Sequence, residues 1–180
     1  GEFNAICSSG EENVSGIATL AKIFSLLSHI GMEHVEKDER DLTRQLLKGL
    51  NLMPDVEVYG VKDPDSRNFR NKGSVVVFSM KDVPFNLASK RLAEIGGIGV
   101  RSGCFCSHLL VKHILHINPF RAFLADAGFV ILFRFTNNVI PGLVRASIGL
   151  ENTPADIEHL LDTLKKISAE KHKWYNRLIA

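Results

Sequence analysis

Residues 99–108 read Gly-Val-Arg-Ser-Gly-Cys-Phe-Cys-Ser-His and contain two of the three cysteines in the chain. A pair of glycines precedes the stretch, and an apolar run at residues 109–111 follows it. Gly103 lets the backbone adopt angles that other residues avoid, so the pattern predicts a short, sharply turned loop with an exposed thiol. An arginine close to such a thiol favours its thiolate form. The loop therefore offers a candidate nucleophile, Cys106 or Cys104.

Two other interpretations of these cysteines stay open at this point. A cysteine is often a small buried hydrophobic residue without chemistry of its own. Alternatively Cys104, Cys106 and His108 alternate, and on a strand they would share one face as metal ligands. Zinc sites usually space their ligands more widely and add a second ligand pair. The sequence shows no such pair, which makes a metal site the weaker alternative.

The composition is that of a globular protein and excludes several functional classes. The chain has 180 residues, 45% of them hydrophobic and 23% charged, with a formal net charge of +2. This suits one domain, with or without an appended element, and gives no electrostatic reason to expect nucleic-acid binding. The longest apolar run, residues 129–133, is too short to span a membrane, so no membrane partner is expected.

The N-terminal residues and the number of cysteines lead to predictions about the location and completeness of the chain. No signal-peptide pattern is visible, and three cysteines do not form a disulfide framework, so a reducing, cytoplasmic location is expected. Residues 1–3, Gly-Glu-Phe, are interpreted as a cloning remnant. The chain is therefore expected to be a piece of a longer protein.

Apolar periodicity and turn residues predict a mixed order of helices and strands. Asn13 is a good N-cap for a first helix that ends at Gly31. Residues 73–79 are apolar enough to predict a strand buried on both faces. Arg145 is an unusual charge inside the apolar strand 143–150. The remaining predictions are helices over 33–50, 84–95, 107–115 and 155–179, strands over 56–59 and 98–101, and a polar loop over 62–72.

This order predicts an α+β fold with a small, mainly antiparallel sheet covered by helices. Residues 4–31 are interpreted as a linker and helix leading from a missing large domain, and residues 32–180 as a C-terminal small domain. Residues 116–142 do not fit the order and are interpreted as an insertion within that domain. Neither a phosphate-binding loop of the Walker type nor a dinucleotide-binding fingerprint is present.

The ordered motifs resemble those of a known enzyme family. Gly10-x-x-Asn13 precedes a helix, Arg101-Ser-Gly-x-x-Cys106 forms a loop, and Val144-Arg-Ala-Ser-Ile-Gly-Leu-x-Asn-Thr153 precedes the closing helix. In this order they resemble the C-terminal part of class V aminotransferase-like enzymes that use pyridoxal phosphate. The nearest branch resembles the cysteine desulfurases and selenocysteine lyases. The resemblance implies the fold of the C-terminal domain of fold-type I pyridoxal-phosphate-dependent transferases.

The resemblance also implies roles for individual residues. Cys106 occupies the position of the nucleophile that takes sulfur from the cofactor-bound substrate and becomes a persulfide. Cys104 lies where this branch often has a histidine. Arg145 matches the arginine that binds the substrate α-carboxylate, in agreement with the bidentate geometry of a guanidinium. Arg101 is expected to steady the loop or to help hold the substrate.

The resemblance implies pyridoxal 5′-phosphate as the cofactor of the whole enzyme, an amino acid as its small-molecule substrate, a possible sulfur-acceptor protein and a homodimer. The family's Schiff-base lysine belongs to the large domain, and no lysine here matches it. We therefore expect no cofactor-binding residue, no covalently bound cofactor and no activity in this chain alone. A lysine adduct that survives borohydride reduction would contradict this. Many relatives have threonine where Glu11 follows Gly10, so a phosphate-binding role is not transferred.

Two functional alternatives remain open alongside a desulfurase domain. The first is a class V aminotransferase or lyase domain that does not use the thiol. The second is a non-catalytic interaction module that keeps only the fold. A sulfur-transfer role depends on Cys106, whereas an aminotransferase role does not, so substitution of that residue separates the first alternative from the desulfurase.

Overall fold

The computed structural model describes residues 12–115 and 142–179. It divides into two compact units, Gly1–Asp38 and Glu39–Ala180. The sequence boundary at residue 31 stays a prediction, and the insertion predicted over 116–142 lies outside the described residues except for Gly142. In chain order the elements are α1 (Val14–Ile30), α2 (Met32–Asn51), β1 (Val56–Tyr59), β2 (Val75–Met80), α3 (Phe85–Gly96), β3 (Arg101–Gly103), α4 (His108–Ile114), β4 (Leu143–Ser147) and α5 (Pro154–Ile179).

The first helix begins and ends where its sequence predicts. The Asn13 side chain accepts a hydrogen bond from the Gly16 amide at 2.9 Å. Gly31 ends α1 with φ of 85°, a conformation that costs glycine little. No residue of α1 is buried, and Ile17, Leu20 and Phe24 are all more than 50% exposed. Among the described residues, the apolar stripe of this helix is therefore exposed.

The length and hydropathy of the described helices were compared with what a membrane span needs, for single helices and for neighbouring pairs. Within residues 12–115 and 142–179, no single helix is both long enough and apolar enough to cross a membrane. The bent pair formed by α1 and α2 does pass the length and composition criteria when both helices are counted together.

The four strands form one fully antiparallel sheet in the order β1-β2-β4-β3, which confirms the predicted fold class. Side chains alternate across the sheet, so each strand gives every second residue to one face. Those on one face join the core, which also includes residues of α2, α3 and α5. The strand residues buried in this core are Val58, Val76, Phe78, Met80, Val144 and Ala146, while Leu143 of β4 is buried on the other face.

Close packing between α2 and α5 depends on Gly49. A Cβ atom at this position would overlap the side chain of Leu161, which is buried in α5. The absence of a side chain thus lets the two helices approach each other beside Leu46 and Leu50, both fully buried.

Several predicted elements differ from the structure, among them the strand predicted over 143–150, which ends at Ser147. The prediction that β2 is buried on both faces is wrong: Val76 and Phe78 are fully buried, whereas Val75 is 41% exposed. A β-branched run reflects strand propensity as well as burial, so it does not reveal that the second face, which we call the open face, is only partly buried among the described residues. The strand predicted over 98–101 is instead Arg101–Gly103. The loop predicted over 62–72 contains the 3₁₀ helix Arg67–Asn71, whose Phe69 is buried.

A cluster of charged and polar side chains connects α5 to Asp55, the residue before β1. Lys171 Nζ lies 3.0 Å from one carboxylate oxygen of Asp55, and the hydroxyl of Ser168 donates to the other at 2.5 Å. Lys171 also lies 3.9 Å from Asp82. The Ser168 hydrogen bond, followed by Lys171, lowers the pKa of Asp55. The cluster therefore stabilises the fold while Asp55 is ionised.

A depressed folded-state pKa gives Asp55 a defined effect on acid stability. Its contribution is fully present above the unfolded pKa of about 3.9 and is lost as pH falls through the lower folded value. The Asp55→Asn substitution should therefore lower the urea midpoint at pH 7, and the difference from wild type should shrink towards pH 3. Glu158→Gln, on an exposed position of the same helix, is the control and should give no such convergence. A pH-independent difference would contradict the proposed linkage.

Candidate functional site

Arg145 lies on the face of the sheet opposite to the core. Its neighbours Val144 and Ala146 are buried, while Arg145 itself is half-buried. In the strand register Arg145 pairs with Val77 on one side and with Arg101 on the other. Cross-strand partners project to the same face with Cβ atoms about 5 Å apart, so the two arginines are neighbours there. The structure thus brings together the two residues assigned to substrate binding.

The two cysteines lie on a tight turn that follows β3, which we call the thiol turn (Cys104–Ser107). The Ser107 amide donates to the Cys104 carbonyl at 2.8 Å and closes the turn. The two central residues, Phe105 and Cys106, have φ of 51° and 59°. Positive φ at both central positions is the signature of a type I′ turn and is uncommon for residues other than glycine and asparagine. Cys106 is exposed and Cys104 is half-buried.

Phe105 connects the thiol turn to the arginine pair. The guanidinium carbon of Arg145 lies over the Phe105 ring, 5.3 Å from its centroid, which is cation–π geometry. Cys106 follows Phe105 directly in the chain, so the candidate nucleophile and the candidate carboxylate site belong to one region. Sequence reasoning gave Phe105 no role; its only signal was an aromatic residue between two thiols.

The approach of β4 to β3 holds the start of this turn. A Cβ atom at Gly142 would lie 3.0 Å from the Cα of Gly103, so the two strand ends come together at a pair of glycines. On the other side of β3, the Ser102 hydroxyl lies 3.0 Å from that of Ser89 in α3 and donates a hydrogen bond to it. The backbone that leads into the thiol turn is therefore fixed by both β4 and α3.

Arg145 has an unmet hydrogen-bonding requirement. Within the described part of the chain, its Nε atom is buried and has no hydrogen-bond partner. Leaving such a donor unpaired costs about 1–3 kcal/mol, and native proteins usually have a reason for it. A bound carboxylate would supply acceptors for this guanidinium.

The same row of the sheet continues to Tyr59. Val77 separates Tyr59 on β1 from Arg145 on β4. The Tyr59 hydroxyl is hydrogen-bonded to the Ser79 hydroxyl at 3.0 Å. Burial, more than any other influence, raises the pKa of Tyr59, so the phenol stays neutral at physiological pH. The open face therefore combines a neutral hydrogen-bonded phenol with two guanidinium groups.

The geometric argument for a metal site at the cysteines does not hold. It required Cys104, Cys106 and His108 on one strand face, whereas the structure places the cysteines on the thiol turn and begins α4 at His108. Among the described residues, no group of three or more His, Cys, Asp or Glu side chains could hold a metal ion. The structure does not describe the side chain of His108, nor residues Gly10 and Glu11 of the N-terminal motif.

Comparison with known proteins identifies the family. The model of the class-V aminotransferases matches residues 3–160. A probable cysteine desulfurase from Methanothermobacter thermautotrophicus is 27% identical over 167 residues, which cover 93% of this chain and 35% of the relative. A probable cysteine desulfurase from Halalkalibacterium halodurans is 27% identical over 158 residues, covering 87% of this chain and 30% of the relative. The chain thus spans about a third of the length of these relatives.

Solved structures agree with the fold. The apo structure of a cysteine desulfurase from Thermococcus onnurineus NA1 matches with a TM-score of 0.66 and 24% identity, covering 89% of this chain and 32% of that one. The cysteine desulfurase CsdA from Escherichia coli matches with a TM-score of 0.57 and 21% identity, over 88% of this chain and 31% of that one. With the family model matching most of its length, this chain belongs to the class-V aminotransferase family.

Proposed function

We propose that this chain is the substrate-side domain of a cysteine desulfurase-like enzyme, which removes sulfur from L-cysteine and leaves alanine and a persulfide on Cys106. The observation that carries the proposal is the placement of the Arg145 guanidinium over the Phe105 ring at 5.3 Å. This contact couples a carboxylate-binding group to the turn that presents the thiol. The similarity to cysteine desulfurases from several microorganisms supports the same reaction.

The arginine pair is explained by binding of an amino-acid carboxylate and not by a contribution to the stability of the sheet. Like charges directly opposite each other on neighbouring strands destabilise a sheet. Arg101 and Arg145 stand in that relation, and the Nε of Arg145 is buried without a partner. A carboxylate bound between them neutralises the repulsion and accepts bidentate hydrogen bonds. The pair is therefore best explained as a binding site for the α-carboxylate of the substrate.

Cys106 supplies the nucleophile in this proposal. Its side chain is exposed on the thiol turn, so a sulfur atom of a bound substrate can reach it. The thiolate is the reactive form of such a nucleophile. The thiolate attacks the substrate sulfur, so that an S–S bond forms while the substrate C–S bond breaks, and the electron pair of that bond stays with the carbon skeleton, which takes up a proton and becomes alanine. Arg145 orients the substrate through its carboxylate so that the sulfur faces the turn.

The family generally depends on pyridoxal phosphate, which acts as an electron sink for the carbon skeleton of an amino acid. Among the described residues we assign the two arginines to the substrate, and we assign none to covalent attachment of this cofactor. Burial lowers the pKa of Lys72, but its ammonium group donates to the Val75 carbonyl at 2.9 Å. We assign no lysine of the described chain as the attachment point, and the chain alone is proposed to be inactive. The chemistry assigned to it is that of its arginines and thiol.

Substitution of Arg145 tests the carboxylate site. In the full-length gene product reconstituted with pyridoxal phosphate, Arg145→Gln should raise the KM for L-cysteine on the order of 30- to 100-fold, from the loss of about 2–3 kcal/mol of charge-assisted hydrogen bonding. Arg145→Lys should restore little, because an ammonium lacks the bidentate fork. Steady-state sulfide release gives the KM values.

Arg67→Gln is the matched control for this experiment. Arg67 is an exposed arginine on the 3₁₀ helix, so its loss changes the net charge equally without touching the open face of the sheet. An unchanged KM in Arg145→Gln, or an equal rise in the control, would remove Arg145 from the substrate site.

A further inference from the structure

The thiol turn holds two cysteines, Cys104 and Cys106. Cys104 and Cys106 are separated by one residue, Phe105, whose φ of 51° lies in the left-handed helical region. With helical dimensions, Cα atoms two residues apart are about 5.4 Å from each other. This lies inside the range of about 4.4–6.8 Å that disulfides span. The backbone of the turn is therefore compatible with a Cys104–Cys106 disulfide.

The two cysteines differ in their access to solvent. Cys106 is exposed, whereas Cys104 is half-buried at the first position of the turn. An incoming sulfur compound meets Cys106 first. Cys104 belongs to the same turn, which carries the Phe105 ring beneath the Arg145 guanidinium.

We propose that Cys104 is a resolving thiol for a persulfide on Cys106, which rests on the sulfur-accepting role of Cys106 proposed above. The Cys104 thiolate attacks the Sγ atom of Cys106, and a Cys104–Cys106 bond forms. The bond between that Sγ and the outer sulfur breaks, and its electron pair leaves with the outer sulfur as hydrosulfide. The outer sulfur is reduced to sulfide and the sulfur of Cys104 is oxidised, while the Sγ of Cys106 keeps the oxidation state that it had in the persulfide.

The resolving step decides what becomes of the sulfur. Without Cys104 the persulfide would persist until an external acceptor took the sulfur. With Cys104 the site releases inorganic sulfide and becomes oxidised until a low-molecular-weight thiol or dithiol reduces it. A disulfide across one intervening residue is strained, and strained disulfides are readily reduced. The disulfide in this turn can therefore form and be reduced repeatedly.

A chemically loaded persulfide tests the step without the cofactor or L-cysteine. The present chain, with Cys7→Ser to remove the third cysteine, is treated with inorganic polysulfide at low temperature and desalted. On warming, we expect release of one equivalent of sulfide and an intact mass lower by two hydrogen atoms than the reduced chain. Cys104→Ser and Cys104→Ala should retain one extra sulfur atom, and their sulfide release should fall at least about tenfold.

Several results would overturn the proposal. One is release of sulfide from both Cys104 variants at the rate of the parent chain, with circular dichroism confirming that all are folded. Another is a peptide map that places the extra sulfur on Cys104, because this means attack on the outer sulfur instead. Since the persulfide is loaded chemically, failure here leaves the proposed desulfurase function standing, and failure of that function leaves this step standing.

Discussion

In the full-length gene product reconstituted with pyridoxal phosphate, Cys106→Ala is expected to release no sulfide from L-cysteine above the protein-free background. The loss should exceed about 10³-fold, because no other group takes over the role of a covalent nucleophile. Cys106 is exposed on the thiol turn next to the Phe105–Arg145 contact. Methylene-blue detection of sulfide and quantification of alanine measure the effect.

The matched control for this experiment is Cys7→Ala. It removes a thiol from the same chain outside the described residues and should leave sulfide release at the wild-type level. A Cys106→Ala enzyme that still converts amino acids at the wild-type rate would contradict the desulfurase function. That result would favour an aminotransferase or lyase domain of the same family that does not use the thiol.

The largest expected effect on stability is that of Phe78→Ala, at about 3–5 kcal/mol. Phe78 is fully buried and pairs with Val58 on β1 and Val144 on β4, so its ring lies where three strands meet the helices. Its removal leaves a cavity that close-packed neighbours fill only in part. Urea unfolding followed by circular dichroism gives the change in the free energy of unfolding.

Val77→Ala provides the comparison for this measurement. Val77 is the next residue of the same strand and lies half-buried on the open face. Its truncation should cost less than about 1.5 kcal/mol, mainly through strand propensity. Equal losses at the two positions would mean that the sheet is covered on both faces, against the burial pattern of β2.

The sequence is most informative where a local signal determines the structure. Asn13 caps α1 and Gly31 ends it, since a side-chain acceptor and a glycine at positive φ act within a few residues. The pattern of Val56–Tyr59 identifies β1 at its full length. Arg145 could be selected as a site residue because a charge in an apolar strand requires a partner or a ligand.

Features that depend on distant residues could not be read from the chain. The open face of β2 depends on what covers the sheet, and apolar composition does not report this. The register that places Arg101 opposite Arg145 pairs two residues that are 44 positions apart in the sequence. The stacking of Arg145 on Phe105 follows from that register together with the left-handed turn, neither of which has a short sequence signature.

The exposed apolar side chains of α1 have a consequence for the chain in concentrated solution. Val14, Ile17 and Phe24 present hydrocarbon to water, and a formal net charge of +2 provides little mutual repulsion between copies. Kosmotropic salts strengthen the burial of such surface, so we expect sulfate and phosphate buffers to favour precipitation of the purified chain.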